Sequence, residues 1–302
     1  MLSYRHAFHA GNHADILKHC TLTLILGSLL KKEKPFTIFD THGGAGIYRL
    51  DFEGLLHTGE AESGILRLLD YAKKSPPPAA LETYLSLAEK YVGTGLYPGS
   101  PEISRAMLRS QDKIFVAELH NTEIAVLKGN MSGKNSLFRL GHQQQDPSLT
   151  IRHESGFSLL ASSLPPHVKR GLILMDPSYE TASDYQDPIR ALGQAARKWE
   201  TAIIALWYPL LSHRQGELDN MLCQVAEGFS LACRHNGDRR ILTAELRIAS
   251  PESESAPRLH GSGMMVLNSP YQLDQQLGEV LPYLQEALAP KAGGWEVRAW
   301  SC

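Results

Sequence analysis

Asp176-Pro177-Ser178-Tyr179 closes an apolar run, Gly171–Met175, near the middle of the chain. Such a run suits a strand buried on both faces of a parallel sheet. Open α/β sheets place their sites beyond the carboxyl ends of these strands. An acid there, followed by Pro and then an aromatic, suits the holding of an exocyclic amino group on a base taken out of its stack. The amino nitrogen of adenine is a poor nucleophile, because its lone pair is delocalised into the ring. The Asp176 carboxylate and the Pro177 carbonyl can each accept one N–H. Those two bonds favour sp³-like nitrogen and turn its lone pair toward a methyl donor. Tyr179 can stack on the base. Taken alone, the tetrapeptide fits a plain turn after a strand nearly as well.

Four other groups carry chemistry. Asp40-Thr41-His42-Gly43-Gly44-Ala45-Gly46 is a glycine turn after an apolar run. It lets the backbone approach a ligand, with a helix N-terminus expected to follow. It fits a dinucleotide fingerprint poorly and the shorter glycine loop of S-adenosylmethionine enzymes better; an ordinary strand–helix turn competes with both. Glu118 ends another apolar run, where a carboxylate can accept two hydrogen bonds from a ribose diol; a solvent-facing acid suits the position equally. The run from His6 to His19 holds four further polar residues of interest: His9, His13, Asp15 and Lys18. Asn12 is placed to cap a helix with Ile16, Leu17, Cys20 and Leu24 on its apolar face. A ligand-contacting loop ranks first for this run. A metal site on His9 and His13 ranks far behind, because Gly11 breaks the helix between them. Arg105, Arg109, Lys113, Lys128, Lys134 and Arg139 form a locally basic stretch that suits phosphate contacts.

These groups need a scaffold. Apolar runs at Phe36–Asp40, Lys113–Glu118, Leu149–Arg152, Gly171–Asp176 and Ala202–Trp207 predict strands, and Thr122–Lys128, Asp187–Lys198 and Gly216–Ala226 predict helices between them. Alternation of this kind builds parallel strands with crossover helices. Trp207-Tyr208-Pro209 follows the fifth strand on the edge that carries Asp176. Phe229–Arg234 and Ile241–Ile248 flank Asn236-Gly237 and predict a hairpin. Gly263–Leu267 and Trp295–Trp300 predict edge strands around a helix from Gln272 to Leu288. Helical stretches Glu62–Lys73 and Leu81–Val92, broken at Ser75-Pro76-Pro77-Pro78, interrupt the sheet pattern.

The chain has 302 residues, 43% of them hydrophobic and 21% charged, with 30 Lys+Arg against 32 Asp+Glu. Global disorder is excluded by that composition. A net charge of -2 excludes nucleic-acid binding by bulk charge and leaves recognition by a local patch around the pocket mouth. The four cysteines form no C-x-x-C pair, and Cys20 and Cys223 fit small core positions. No apolar run follows Met1–His6, so no leader is expected; no stretch approaches a bilayer span. A cytoplasmic location is the expectation.

Several blocks together resemble the RlmJ family of S-adenosylmethionine-dependent methyltransferases, which act on adenine N6 of 23S ribosomal RNA. They are the opening Met1–Asp15 with Lys18-His19, Asp40-Thr41-His42, Tyr97–Pro101, Glu118-Leu119-His120, Asp176–Tyr179, Ala205–Pro209 and Gly261–Met264. The resemblance implies cofactor contacts at His19, His42, Gly44, Ser100, Glu118, Ser155, Gly156 and Asp176. It implies Asp176 as the residue that engages the amino group, Tyr4 as an RNA contact and S-adenosylmethionine as cofactor. The residues themselves add Pro177 and Tyr179 as catalytic candidates and Lys18 as an RNA contact, and no metal is expected. Two positions depart from the family: Ser155 replaces an Asp, and Ser178 replaces the second Pro of Asp-Pro-Pro-Tyr. The side-chain and carbonyl acceptors survive; the second ring and one cofactor-facing charge are lost.

The expected fold is α/β, a Rossmann-like class I methyltransferase sheet, mostly parallel, with antiparallel strands near the C-terminal edge. Residues 1–53 and 98–302 form it, and 54–97 form an inserted helical subdomain. The partner is 23S ribosomal RNA, naked or in an early assembly intermediate, and the protein is expected to be a monomer without membrane attachment. A DNA adenine-N6 methyltransferase and a catalytically weakened RNA-binding homologue are the alternatives.

Overall fold

The computed structural model describes residues 9–51, 59–132, 147–232, 239–250 and 259–301. Helix α1 (His13–Leu30) leads into strand β1 (Thr37–Asp40) and the short strand β2 (Ile47–Arg49). A π-helical turn (Glu62–Leu66) continues into α2 (Arg67–Lys74), followed by α3 (Ala79–Val92) and β3 (Leu96–Pro98). Next come α4 (Ser100–Met107), β4 (Lys113–Ala117), α5 (Asn121–Asn130), β5 (Ser148–Arg152), α6 (Gly156–Ser163) and β6 (Gly171–Met175). The last third holds α7 (Gln186–Lys198), β7 (Ile203–Leu211), α8 (Gln215–Ala232), β8 (Arg240–Arg247), β9 (Leu259–Leu267), α9 (Leu273–Leu288) and β10 (Gly294–Ser301).

One sheet runs in the order β10-β8-β9-β7-β6-β1-β4-β5. The strands from β7 to β5 are parallel. Strand β9 lies antiparallel between β7 and β8, and β10 is antiparallel to β8. Successive strand residues face opposite sides. Ile38, Leu172 and Leu174 thus pack with α1, α3 and α9, while Phe39, Ile173 and Met175 pack with α6, α7 and α8. The result is helices on both faces of a largely parallel sheet. Strands β2 and β3 form a separate ribbon, with Tyr48 opposite Tyr97, at the two ends of the helical segment between them.

Helix α1 is wrapped by protein on nearly every side from Ala14 to Leu26, beyond the single apolar face expected. A helix apolar almost all round belongs in an interior, so its polar residues Asp15, Lys18 and His19 must find internal partners. Asn12 caps it, accepting from the Ala14 and Asp15 amides.

Five expectations need correction. No helix follows the glycine turn: β2 does, and the helix in that role, α4, begins only after the chain returns at Gly99. Phe229–Ala232 are the last turn of α8, because Leu218, Met221, Val225, Phe229 and Ala232 recur at helical spacing and are buried; Asn236-Gly237 lies outside the described residues. Gly263–Leu267 lie in β9, an interior strand, and only Trp295–Trp300 lie on the edge. Trp207-Tyr208-Pro209 lie within β7, paired with β9 through Leu211. Cys223 is exposed on α8, its thiol donating to Glu227, while Cys20 is in the core.

Candidate active site

Strands β6, β1 and β4 lie side by side with Asp40 paired to Leu174 and Val116, so Asp40, Glu118 and Asp176 emerge on one edge of the sheet. A cavity of about 520 Å³ opens there. It is lined by Lys18, His19, His42, Gly44, Ser100, Glu118, Ser155, Gly156, Asp176, Pro177 and Tyr179. Tyr4 lies outside the described residues.

The glycine turn forms one wall. Gly44 has a φ of +55°, and a Cβ on it would lie 2.1 Å from the Tyr48 hydroxyl. Its amide donates to Glu118 Oε2 at 2.8 Å, and the His120 amide donates to Oε1 at 2.6 Å. Each carboxylate oxygen retains a second acceptor position. Opposite, Ser155 caps α6 by accepting from the Phe157 amide at 3.2 Å. Gly156 is packed so closely that a Cβ would lie 2.2 Å from Thr41 O.

Helix α1 forms the floor. Lys18 Nζ lies 2.9 Å from Asp15 Oδ1 and 2.5 Å from Asp176 Oδ2, with its side chain only 6% exposed. Burial pulls the ammonium down, but the two carboxylates outweigh it and hold it well above its ordinary value. Asp176 therefore enters the cavity with one oxygen tied to Lys18. At the next residue, His19 Nδ1 meets Tyr97 Oη at 2.8 Å.

Behind the turn, Thr41 Oγ1 donates to Leu174 O at 3.0 Å. Its single proton is thus used, and at 2.8 Å it accepts from His42 Nδ1–H, leaving Nε2 as the acceptor. Desolvation pulls His42 down to about 4, so the ring is neutral. Asp40 is fully buried, and burial pushes its carboxyl up to about 7, partly opposed by hydrogen bonds from Ser100 and the His42 amide and by the Lys18 charge. Its Oδ2 has no hydrogen-bond partner among the described residues.

The remaining wall is aromatic. Tyr179 donates to Trp207 O at 2.9 Å, and its ring centroid lies 4.7 Å from Tyr185 and 6.0 Å from Trp207. Phe157 packs edge-on against His42 at 5.7 Å.

The model for ribosomal RNA large subunit methyltransferase D, RlmJ, matches residues 33–302. The chain belongs to the RlmJ family. It is similar to ribosomal RNA large subunit methyltransferase J of Escherichia coli (strain K12), with 38% identity over 303 residues and 99% of each chain covered. The same-named protein of Haemophilus influenzae is 38% identical over 302 residues, with 98% of each covered. A crystal structure of a Legionella pneumophila protein superposes with a TM-score of 0.81 at 29% identity, covering 97% of this chain and 98% of that one. The sheet is the Rossmann-like class I methyltransferase sheet that the family resemblance implied.

The pocket mouth departs from what the sequence predicts. Arg105 is buried, ion-paired to Glu102 at 2.6 Å, and Arg109 is held by Asp112 at 3.0 Å. Those two arginines stabilise the fold and are not a phosphate-facing surface. Lys113 and Lys128 are exposed; Lys134 and Arg139 lie outside the described residues. Glu180, Asp184 and Asp187 line the cavity instead, so its described rim is more acidic than expected. Among the described residues no group of three or more His, Cys, Asp or Glu could hold a metal ion, and no helix is long and apolar enough to cross a membrane. His9 pairs with Glu60 at 2.8 Å, and burial lowers His13 to about 4. Asp15, Asp40 and Thr41 stand in the sequence motifs above without a role of their own, which only the structure gives them. The spacing of Asp15 to Lys18 and His19, three and four residues along a helix, was the available signal for the first.

Proposed function

We propose that the protein transfers the methyl group of S-adenosylmethionine to N6 of an adenine in 23S ribosomal RNA. The observation that carries this reading is the convergence, in one cavity, of the Asp176–Tyr179 segment with the Gly44 turn and Glu118. The cavity fits the cofactor. A Cβ on Gly44 or Gly156 would run into Tyr48 or Thr41, so bare backbone lines the cavity at both; Glu118 keeps acceptor positions for a diol, and the buried Asp40 Oδ2 has no partner among the described residues. His19, His42, Gly44, Ser100, Glu118, Ser155 and Gly156 would hold it, with Asp176 at the methyl end. When bound, S-adenosylmethionine supplies an electrophilic methyl on a sulfonium.

The chain's own residues do the rest. Lys18 fixes Oδ2 of Asp176 by an ion pair, so its other oxygen can accept one amino N–H while Pro177 C=O accepts the second. Tyr179 and Trp207 offer ring faces to an unstacked base. Their mutual bracing fixes that surface before the base arrives, so positioning supplies much of the rate. The surplus proton leaves to Asp176 or to water. Ser178 affects neither acceptor, and Ser155 still caps α6. Tyr4 contacts the RNA. Residues 54–97 are an insertion into the domain formed by 1–53 and 98–302. The protein acts as a cytoplasmic monomer on naked RNA or an early assembly intermediate.

The test is transfer of labelled methyl from the cofactor to 23S RNA of a strain lacking the protein, followed by nucleoside analysis. Label in N6-methyladenosine of the RNA, and none in competing duplex DNA, is expected. Label in DNA, or in another nucleoside, overturns the assignment.

A further inference from the structure

Glu60 stands just before the π-helical turn, with its side chain 31% exposed. Its carboxylate is forked. Oε1 meets His9 Nδ1 at 2.8 Å, and Oε2 accepts from Asn12 Nδ2 at 2.9 Å. Asn12 directs its other side-chain atom to the Ala14 and Asp15 amides, at 2.9 and 3.0 Å, and so starts α1. The backbones are joined at the same place. The Ile65 amide donates to Gly11 O at 2.8 Å. A Cβ on Gly64 would lie 2.1 Å from that same oxygen, so only glycine permits the approach. Gly64 departs from helical φ/ψ inside its turn, at -100° and -109°, where it meets Gly11. From this junction Asp15 accepts the Gly11 amide at 2.9 Å and holds Lys18, which holds Asp176.

We propose that Glu60 is a positioning residue for methyl transfer: it locks the start of α1 to the helical insert and thereby sets the Lys18–Asp176 pair. The inference rests on Asp176 being the acceptor for the amino group. Glu60 itself touches no reacting atom. Its carboxylate orients Asn12, and Asn12 fixes where the first turn of α1 begins. A shift of that turn moves Asp15 and Lys18 together, because both ride on the same helix. Misplacement of an acceptor by a fraction of an ångström costs rate without emptying the cofactor site.

The experiment compares Glu60→Ala and Glu60→Gln in the full chain. It reads kcat with saturating RNA and cofactor, S-adenosylhomocysteine affinity by calorimetry, and amide hydrogen exchange at Ala14 and Asp15. Glu60→Ala should lower kcat roughly 10-fold while the affinity stays within about 2-fold. Exchange at Ala14 and Asp15 should accelerate, with exchange in β8 and β9 unchanged. Glu60→Gln keeps an acceptor for Asn12 and should recover kcat to within about 3-fold of the wild type. If the alanine variant fails to fold, Asn12→Ser carries the test: it keeps a cap for α1, loses the bond to Glu60, and should lower kcat as Glu60→Ala does. Unchanged kcat in the variant that removes the Glu60–Asn12 bond, unchanged exchange at α1 in it, or equal losses of kcat and affinity overturn the proposal. If the wild type methylates no RNA, the reading of Asp176 falls, and the exchange result alone decides whether Glu60 locks α1.

Discussion

Asp40 and Asp176 end neighbouring parallel strands, yet they are in opposite electrostatic situations. Asp40 is sealed from water, and burial pushes its carboxyl up to about 7. Asp176 keeps 18% of its side chain exposed and is ion-paired to Lys18. The difference comes from α1, which sends its lysine to one acid and leaves the other with an oxygen that has no hydrogen-bond partner among the described residues. Strand position therefore delivers a carboxyl to the site edge, and the neighbouring helix decides which one receives a counter-charge. Two like groups set in such different surroundings are suited to different tasks.

The comparison breaks most completely at Asp176. Asp176→Ala should reduce methyl transfer by roughly 10³-fold or more, with cofactor affinity by calorimetry nearly unchanged; retained transfer removes the role assigned to it. Lys18→Met comes next. It leaves Asp15 and Asp176 without their buried counter-charge and should cost about 3 kcal/mol in urea unfolding. The kcat should fall roughly 100-fold. The salt dependence of RNA binding separates this role from a phosphate contact: its log–log slope should stay unchanged, whereas a loss of about one unit would mark a phosphate partner.

Asp40→Asn sharpens the comparison through pH. The folded-state carboxyl titrates above the ordinary 3.8, at about 7. Between those values the native chain binds the proton more tightly than the unfolded chain. Wild-type stability thus falls as pH rises through that window, by at most about 1.4 kcal/mol per unit. The asparagine variant should lack that slope, as urea unfolding at several pH values between 4 and 7.5 will show. The smallest effect is expected at Ser155→Asp. It keeps the cap on α6 and adds charge at a helix N-terminus facing the cavity. Calorimetry should show S-adenosylmethionine binding tighter by about 0.3–1 kcal/mol.

The strands that carry the site were legible because they are buried on both faces and so appear as unbroken apolar runs, Gly171–Met175 most clearly. The cap at Asn12 was legible because capping is local. The hairpin expectation failed because Phe229–Arg234 is too short to separate period 2 from period 3.6, and the whole of Leu218–Ala232 is needed to show the helix. The inward turn of Lys18 could not be seen, since Asp176 is 158 residues away. Arg105 was different. Its partner Glu102 stands three residues before it, so the sequence already held the evidence against a phosphate contact. The acidic rim was likewise visible as Glu180, Asp184 and Asp187, but only the fold places them at the mouth.

The ribbon of β2 and β3 bears on how the central sheet assembles. Strand β1 must find β4 across the whole helical segment between β2 and β3. Three facing residue pairs, from Ile47–Pro98 to Arg49–Leu96, join the two ends of that segment. Once they meet, the chain from β1 to β4 is shortened to little more than a turn and α4. Loop-closure entropy changes slowly with length, by about 0.6 kcal/mol per doubling. Closing the loop in itself therefore contributes little to native stability. Its larger effect is kinetic: it converts a distant strand pairing into a near one, which is the variable that governs folding speed.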